Sequence, residues 1–438
     1  MGKMELKAEV PILRVGIFID YKEISLKADQ GLQIYEISTG KSLWTQKDNQ
    51  LLKVIAESQG IKINDQSFKA KKGIRVVPIG KGYIQVEDKK YRGEIEIITE
   101  QSLLKVVNVL KLEEYLYGVL QKEIPPNWPM EVLKAQAIAA RTFALFNMNK
   151  YIDQNYHICA TTTSQEYGGI LYEHPQTTKA VDATKGVIAV YKGKPINSVY
   201  HSDSGGYTEN CEDVWGSYIP YLRSVSSEYE TVVSPPNHQW TYSITEQELL
   251  TKLSQKGWQL NYIKEINITE KTATGRVKTL EILGDNGKKI TLKTNDFRLL
   301  IGPNLVRSSL FTLDKKGTFS SDEKSDKIDE LSKYQPTEKQ EQKSVSDILK
   351  EDRDFTITEL IDLLTRPKKA PENKKMNLLE DIKKEEHFSN LVFVFSGKGS
   401  GHGVGLSQWG AYGMATLGFK HEDILKYYYK GIKLAKIY

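Results

Sequence analysis

Residues 111–145 read KLEEYLYGVLQKEIPPNWPMEVLKAQAIAARTFAL, two helical patterns broken by a proline cluster. In the first, Leu112, Leu116, Val119 and Glu123 are spaced by four, three and four, so they share one helix face. Glu123 continues this apolar stripe just before Ile124, Pro125 and Pro126, where the helix must stop. A carboxylate there meets apolar surface and the negative end of the helix dipole, and both raise its pKa. A carboxyl protonated near neutral pH can act as a general acid. The plain alternative is a frayed terminal glutamate in water. Glu113 and Glu114, at the helix start, suit the dipole and are expected in solvent. The second pattern is rich in Ala, Leu, Met and Lys, strong helix formers. Lys134 and Arg141 lie seven apart and face the same way among small alanines. An arginine there needs an acceptor. That could be a backbone carbonyl, a structural salt bridge, or Glu123 and its substrate, which Arg141 would orient.

Toward the N-terminus, LRVGIFI, GLQIYEI, GIRVVPI, GYIQVE and GEIEIIT are short apolar or alternating runs, which predicts a small β domain over residues 10–100. Residues 101–235 carry the helices and then Gly-, Ser-, Thr- and Tyr-rich loops, the first part of a core. Residues 236–313 pattern as a helix, TEQELLTKL, and strands joined at DNGKK, hence a β-rich subdomain. Over 321–390, 32 of 70 residues are charged, so 314–390 reads as a solvated insertion with a marginal helix at ITELIDLL. The abrupt return to LVFVFSGKGSGHGVGLSQWGAYGMATLGF suggests that 391–438 closes the core. The expected class is α+β: β-rich and multi-part, with a helical segment and a discontinuous core.

Composition narrows the function. At about 150 residues per domain, 438 residues allow roughly three domains or one large discontinuous unit. Lys plus Arg is 61 against 56 acidic residues, a net +5, too mild for a dedicated nucleic-acid binder but weakly suited to a polyanionic surface such as a bacterial wall. No apolar run is long enough for a membrane span. The opening residues lack a signal peptide's apolar stretch, so either a leader precedes this sequence or the protein stays in the cytoplasm. Cys159 and Cys211 allow one disulfide or none.

Two polar loops complete the candidate site. In HSDSGGYTENCEDVWG, residues 201–216, Gly205 and Gly206 permit close backbone approach to a ligand. His201, Ser204 and Thr208 offer polar groups there, and Trp215 a ring platform. GKGSGHGVGLSQWGAYG, residues 397–413, repeats the composition around His402. Neither loop is a nucleotide fingerprint, and GxSxG is absent, which argues against a serine hydrolase. His157 and Cys159 alternate on an extended stretch, and with His201 or Cys211 they are the candidates for a metal, which needs four ligands if structural.

Taken together these stretches resemble the stage II sporulation protein D and amidase-enhancer family of bacterial wall enzymes. The resemblance rests on residues 111–145, TTTSQEYGG, ATKGVIAVYKGKPINSVYHSDSGGYTENCEDVWG with YIPYLRSV, and SGHGVGLSQWGAYGMA, and spans about 105–230 and 391–435. It implies a lytic transglycosylase cutting the bond between N-acetylmuramic acid and N-acetylglucosamine in peptide-stripped glycan strands, with a 1,6-anhydro product. By the same resemblance Glu123 is the catalytic acid, with Lys134 and Arg141 functionally important on the next helix. His201, Ser204, Gly205, Gly206, His402 and Gln408 match the substrate-binding loops. The alternative within the family is a non-catalytic glycan binder that enhances an N-acetylmuramoyl-L-alanine amidase. The implied partners are glycan strands and a cell-wall amidase, with no nucleic acid. The implied location is extracytoplasmic, at the wall or outer membrane face, with any leader or anchor outside this sequence. Some relatives hold zinc through a His/Cys stretch; here His157 and Cys159 remain, but the second Cys position, before Gln165, is Ser164, preceded by Thr163. No other cofactor is implied. Trp409 stands where many relatives have tyrosine.

Overall fold

The computed structural model describes residues 9–236, 238–317 and 391–438. The alternating N-terminal runs form strands. A seven-stranded sheet has the order Ile158–Cys159, Ile12–Tyr21, Leu103–Lys111, Glu94–Glu100, Ile74–Pro78, Leu32–Glu36, Ser42–Gln46. A six-stranded sheet has the order Lys89–Tyr91, Ile84–Val86, Glu23–Ala28, Leu52–Glu57, Gly60–Ile63, Gln66–Phe68. Their buried residues, among them Val15, Leu26, Ile34, Val54, Val76 and Ile97, join one core. The class is α+β.

The helices enter this same core. Strand Leu103–Lys111 pairs antiparallel with Ile12–Tyr21 and runs directly into α1 (Leu112–Glu123). Leu112, Tyr115, Leu116, Val119 and Leu120 bury the helix's apolar face. Gly118 lets residues 167–169 pack against α1: a Cβ there would stand 2.7 Å from the Tyr167 ring and 2.9 Å from the Gly169 carbonyl oxygen. That approach sets Glu166 beside Glu123. Ile124 adopts the extended conformation favoured before proline and ends α1. The next helix, α2 (Met130–Phe146), lies deep in the core, with Ala135, Ala137, Ala139, Ala140 and Ala144 fully buried. Small side chains at these positions let neighbouring elements come close on several sides.

A second hydrophobic cluster forms farther along. Phe311–Lys316, Val392–Lys398 and Gln239–Thr245 make one three-stranded sheet; Ile263–Lys271, Val277–Gly284 and Lys289–Lys293 make another. Leu249, Leu280, Phe297, Phe393 and Phe395 are buried in this cluster. Lys316 lies opposite Val392, so the chain leaves and re-enters at adjacent positions of one sheet. The charged tract between them, including ITELIDLL, lies outside the described residues.

The returning chain completes the site. Leu406–Ser407 pairs in parallel with Tyr200–His201, and isolated bridges join Asp203 to Ser400 and Glu209 to Val404. The two glycine-rich loops therefore run side by side. Strand Lys433–Lys436 pairs with Val187–Tyr191 and ties the C-terminus to the helical core. Cys159 and Cys211 are free thiols. Among the described residues, no helix is long and apolar enough to cross a membrane.

Candidate active site

Glu123 closes α1 on the wall of a 520 Å³ cleft also lined by Tyr200, Trp215, His402, Phe143, Asn147 and Lys150. That volume suits a small ligand or a few sugar rings. The Glu123 side chain is partly open to the cleft, while its carboxyl is otherwise enclosed by protein. Burial raises its pKa to about 7, against the opposing hydrogen bonds from the Tyr200 phenol and the Glu166 N–H. The Glu166 N–H reaches Oε1 at 3.2 Å. Tyr200 is fixed in turn, because Gln165 Nε2 donates to its oxygen at 3.0 Å while Tyr115 donates to Gln165 Oε1 at 3.2 Å. Gln408 Nε2 donates to the Glu123 backbone carbonyl at 3.3 Å, satisfying an acceptor left open at the helix end. Periodicity placed Glu123 at the end of the apolar face of α1. Tyr200 lay in a quoted stretch, but nothing in its local pattern marked it as the carboxyl's partner.

The two predicted histidines are adjacent, with ring centroids 5.5 Å apart. His402 faces the Glu123 cleft and packs against Trp215 at 4.9 Å. Its Nδ1 accepts from the Val404 N–H at 3.0 Å, which leaves the proton of the neutral ring on Nε2. Burial, then the nearby Arg298 charge, lowers its pKa to about 3, so the ring is neutral at physiological pH. His201 stands behind it, buried, with Nδ1 hydrogen-bonded to the Val404 carbonyl at 3.1 Å.

Three other expected site residues sit away from the cleft. Ser204 is buried, and its hydroxyl and N–H both donate to Glu230 Oε1 at 2.7 Å. The same carboxylate accepts from the Ser227 and Ser407 hydroxyls and from the Gly206 N–H. Glu230 thus knots together three loops that nothing in the sequence pattern connects. Gly205 donates to Asp203 Oδ1 at 2.8 Å and borders a separate groove with Trp240. Ser204 and Gly206 therefore have their donors turned inward to Glu230, whereas the resemblance puts them in a substrate-binding loop.

The basic residues of α2 are also placed differently. Arg141 is fully buried and forms a bidentate pair with Glu113, at 2.9 Å from Nε and 2.8 Å from Nη2. It also donates to the Val181 and Val187 carbonyls. Of the acceptors the sequence left open, the structure supplies both a salt bridge and backbone carbonyls. Glu113, expected in solvent, is 5% exposed because it answers this charge. Lys134 bonds Glu131 at 2.9 Å, and Glu131 binds His421 Nδ1 at 2.7 Å, linking α2 to helix His421–Tyr428.

His157 Nδ1 accepts from the Arg14 N–H, and Cys159 Sγ lies 3.3 Å from the Thr161 and Ser164 hydroxyls. Among the described residues, neither joins a group of three ligating side chains, so this pair does not fit a zinc site. Asp203, Glu230 and His238 do form such a group. Glu230 is already occupied by its five donors, and Asp203 by Gly205 and His238, so the group reads as a hydrogen-bonded knot.

Comparison with known proteins follows the same outline. Residues 100–191 match the family described as stage II sporulation protein. Stage II sporulation protein D of Bacillus subtilis (strain 168) is 30% identical over 346 residues, covering 75% of this chain and 76% of that protein. The chain belongs to the stage II sporulation protein D family. Within this sporulation protein D family member, the family match contains α1, α2 and Glu123. Residues 233–335 match a domain family of unknown function. An uncharacterized protein of Brachyspira hyodysenteriae is 30% identical over 387 residues, covering 88% of this chain and 82% of its own. The amidase enhancer of Bacillus subtilis is 28% identical over 324 residues, 73% of this chain; the match spans 40% of the enhancer.

Proposed function

We propose that this protein binds peptidoglycan glycan strands across the Glu123 cleft, outside the cytoplasm, and cleaves them as a lytic transglycosylase. One observation carries the reading: a carboxyl with a pKa of about 7 opens onto a cleft of sugar size. Glu123 gives its proton to the oxygen between N-acetylmuramic acid and N-acetylglucosamine, and that bond breaks. The C6 hydroxyl of the muramic residue closes on its own C1. Ionised Glu123 takes the hydroxyl proton, which restores the acid and leaves a 1,6-anhydro end. An internal nucleophile removes the need for the second carboxylate and water that ordinary glycosidases use. The Glu166 N–H and the Tyr200 phenol hold the carboxylate between the two proton transfers. Trp215 offers a ring face to a sugar.

The relatives' names favour a second reading more than the first, because one of them is an amidase enhancer. In that reading the same cleft holds the strand uncut and the protein stimulates a cell-wall amidase. The two separate in one assay. Wild type and E123Q are incubated with peptide-free and peptide-bearing glycan, with and without an amidase, and products are read by mass spectrometry. Anhydro ends from wild type alone support cleavage by Glu123. Equal product from both removes Glu123 from the chemistry. No product from either, with full stimulation of the amidase, supports the enhancer.

A further inference from the structure

A second cavity, of 390 Å³, lies on the other side of His402 from the Glu123 cleft. The two share His402 and flank the same turn, with Val214 and Gly216 on the second cavity and Trp215 on the first. Its far wall comes from residues 270–309, within the segment that matches a domain family of unknown function.

Three features of this cavity ask for an anion. First, Arg276 and Arg298 both line it and are 1% and 6% exposed, yet among the described residues neither forms an ion pair. Arg276 donates to the Ser204 and Tyr207 carbonyls, and Arg298 to the Val306 and Arg307 carbonyls. Burial, and then the charge of Arg276, brings the Arg298 pKa down to about 10. Burial lowers the Arg276 pKa too, against the opposing charges of Glu209, Glu230 and Asp203. Second, Arg276 Nε and Thr294 Oγ1 are buried polar atoms with no hydrogen-bond partner. Gly403, at φ +82°, fits against this guanidinium; a Cβ there would be 2.8 Å from Arg276 Cζ. Third, helix Thr294–Ile301 begins at the cavity, and its N-cap residue, Lys293, provides no side-chain cap. The N-terminal N–H groups of a helix favour negative charge.

The acids on the cavity wall are already engaged. Glu212 pairs with Arg223, Glu270 and Asp213 with Lys278, and Glu209 accepts from Thr272 and Thr274. Among the described residues none of these acids hydrogen-bonds or ion-pairs with Arg276, Arg298 or Thr294, although the Glu209 charge acts on Arg276.

We propose that this cavity is an anion subsite that takes a carboxylate borne by the glycan strand lying across the Glu123 cleft. The inference rests on the proposed glycan-binding function and assigns a role to the segment 233–335. On a glycan strand the carboxylate has two sources: the lactyl acid of a peptide-free muramic residue, or an acid of an attached stem peptide. Arg276 and Arg298 are poor test positions because they also hold backbone carbonyls. T294V is nearly isosteric and removes a buried hydroxyl that bonds nothing, and K293Q removes an exposed charge at the same helix start.

The test is titration calorimetry of the full chain with chitotetraose, a peptide-free muramic tetrasaccharide, and that tetrasaccharide bearing L-Ala-D-Glu stems. The expected result is a preference for a carboxylated strand over chitotetraose on the order of tenfold, as for a charged hydrogen bond. The ratio should fall toward one in T294V and in K293Q, with both variants melting normally. Tightest binding of the peptide-free strand assigns the lactyl acid; tightest binding of the stem-bearing strand assigns the peptide. Binding of chitotetraose with no preference for either carboxylated strand, or a preference unchanged in both variants, overturns the subsite and leaves glycan binding standing. No binding of any strand overturns both.

Discussion

Glu123 sets the residue scale. Moving a carboxyl's pKa from 4.5 to about 7 means that the folded state resists its ionisation. The sign follows directly: the folded pKa is raised, so stability is intact below pH 4.5 and is lost as pH rises through 7. The loss is on the order of 3 kcal/mol. E123Q should therefore be more stable than wild type at pH 8 and equal at pH 4, as read by urea denaturation; equal stability at both would mean that the carboxyl is well solvated. In the proposed mechanism catalysis has the same sign, since the acid must carry its proton. Strand cleavage should decline as pH rises past about 7. Tyr200 favours the ionised form, so Y200F should move that decline to higher pH; a downward shift would contradict the assigned hydrogen bond. The position of Glu123 was legible because helical spacing is local information. Its contact with Tyr200 joins residues far apart in sequence and was not.

At the scale of elements, the Arg141–Glu113 pair shows how burial overrides a local rule. A carboxylate in a first helical turn belongs in water when only the dipole acts on it. Here α2 carries a charged residue through an alanine-lined interior, and Glu113 is drawn inside to meet it. The alanine run was the readable sign that α2 is buried; the partner's identity was not readable. R141A leaves Glu113 buried and uncompensated, so it should lose about 3–5 kcal/mol in denaturant titrations. R141M combined with E113L should recover much of that loss. A stable R141A that loses only strand cleavage would instead return Arg141 to the chemistry. Glu230 is the same kind of element-scale device, and its sequence context, SSEYETV, gives no hint of Ser204 and Ser407, which it gathers beside its neighbour Ser227.

At the scale of the whole molecule, the chain closes on itself twice. Leu406–Ser407 beside Tyr200–His201 brings His402 and Gln408 to Glu123, and Lys316 opposite Val392 brings the two ends of the charged tract together. The composition change at 321 and the return at 391 read as a departure and a return, and Lys316 lies opposite Val392. The pairing of the two glycine-rich loops was suggested only by their shared composition. Because the tract's ends are strand partners, replacing residues 318–390 with a short Gly/Asn turn should leave the melting temperature within a few degrees of the original. A large drop would show that the tract supports the folded core.

The proposed chemistry needs one carboxyl, Glu123, to keep its proton near neutral pH at the cleft. Carbon-detected NMR titration of glutamate side chains, with the Glu123 signal assigned from E123Q, measures this directly. A midpoint near 7 for that signal is the expected result. A midpoint near the ordinary value of 4.5 would mean that Glu123 is ionised in the working protein and has no proton to give.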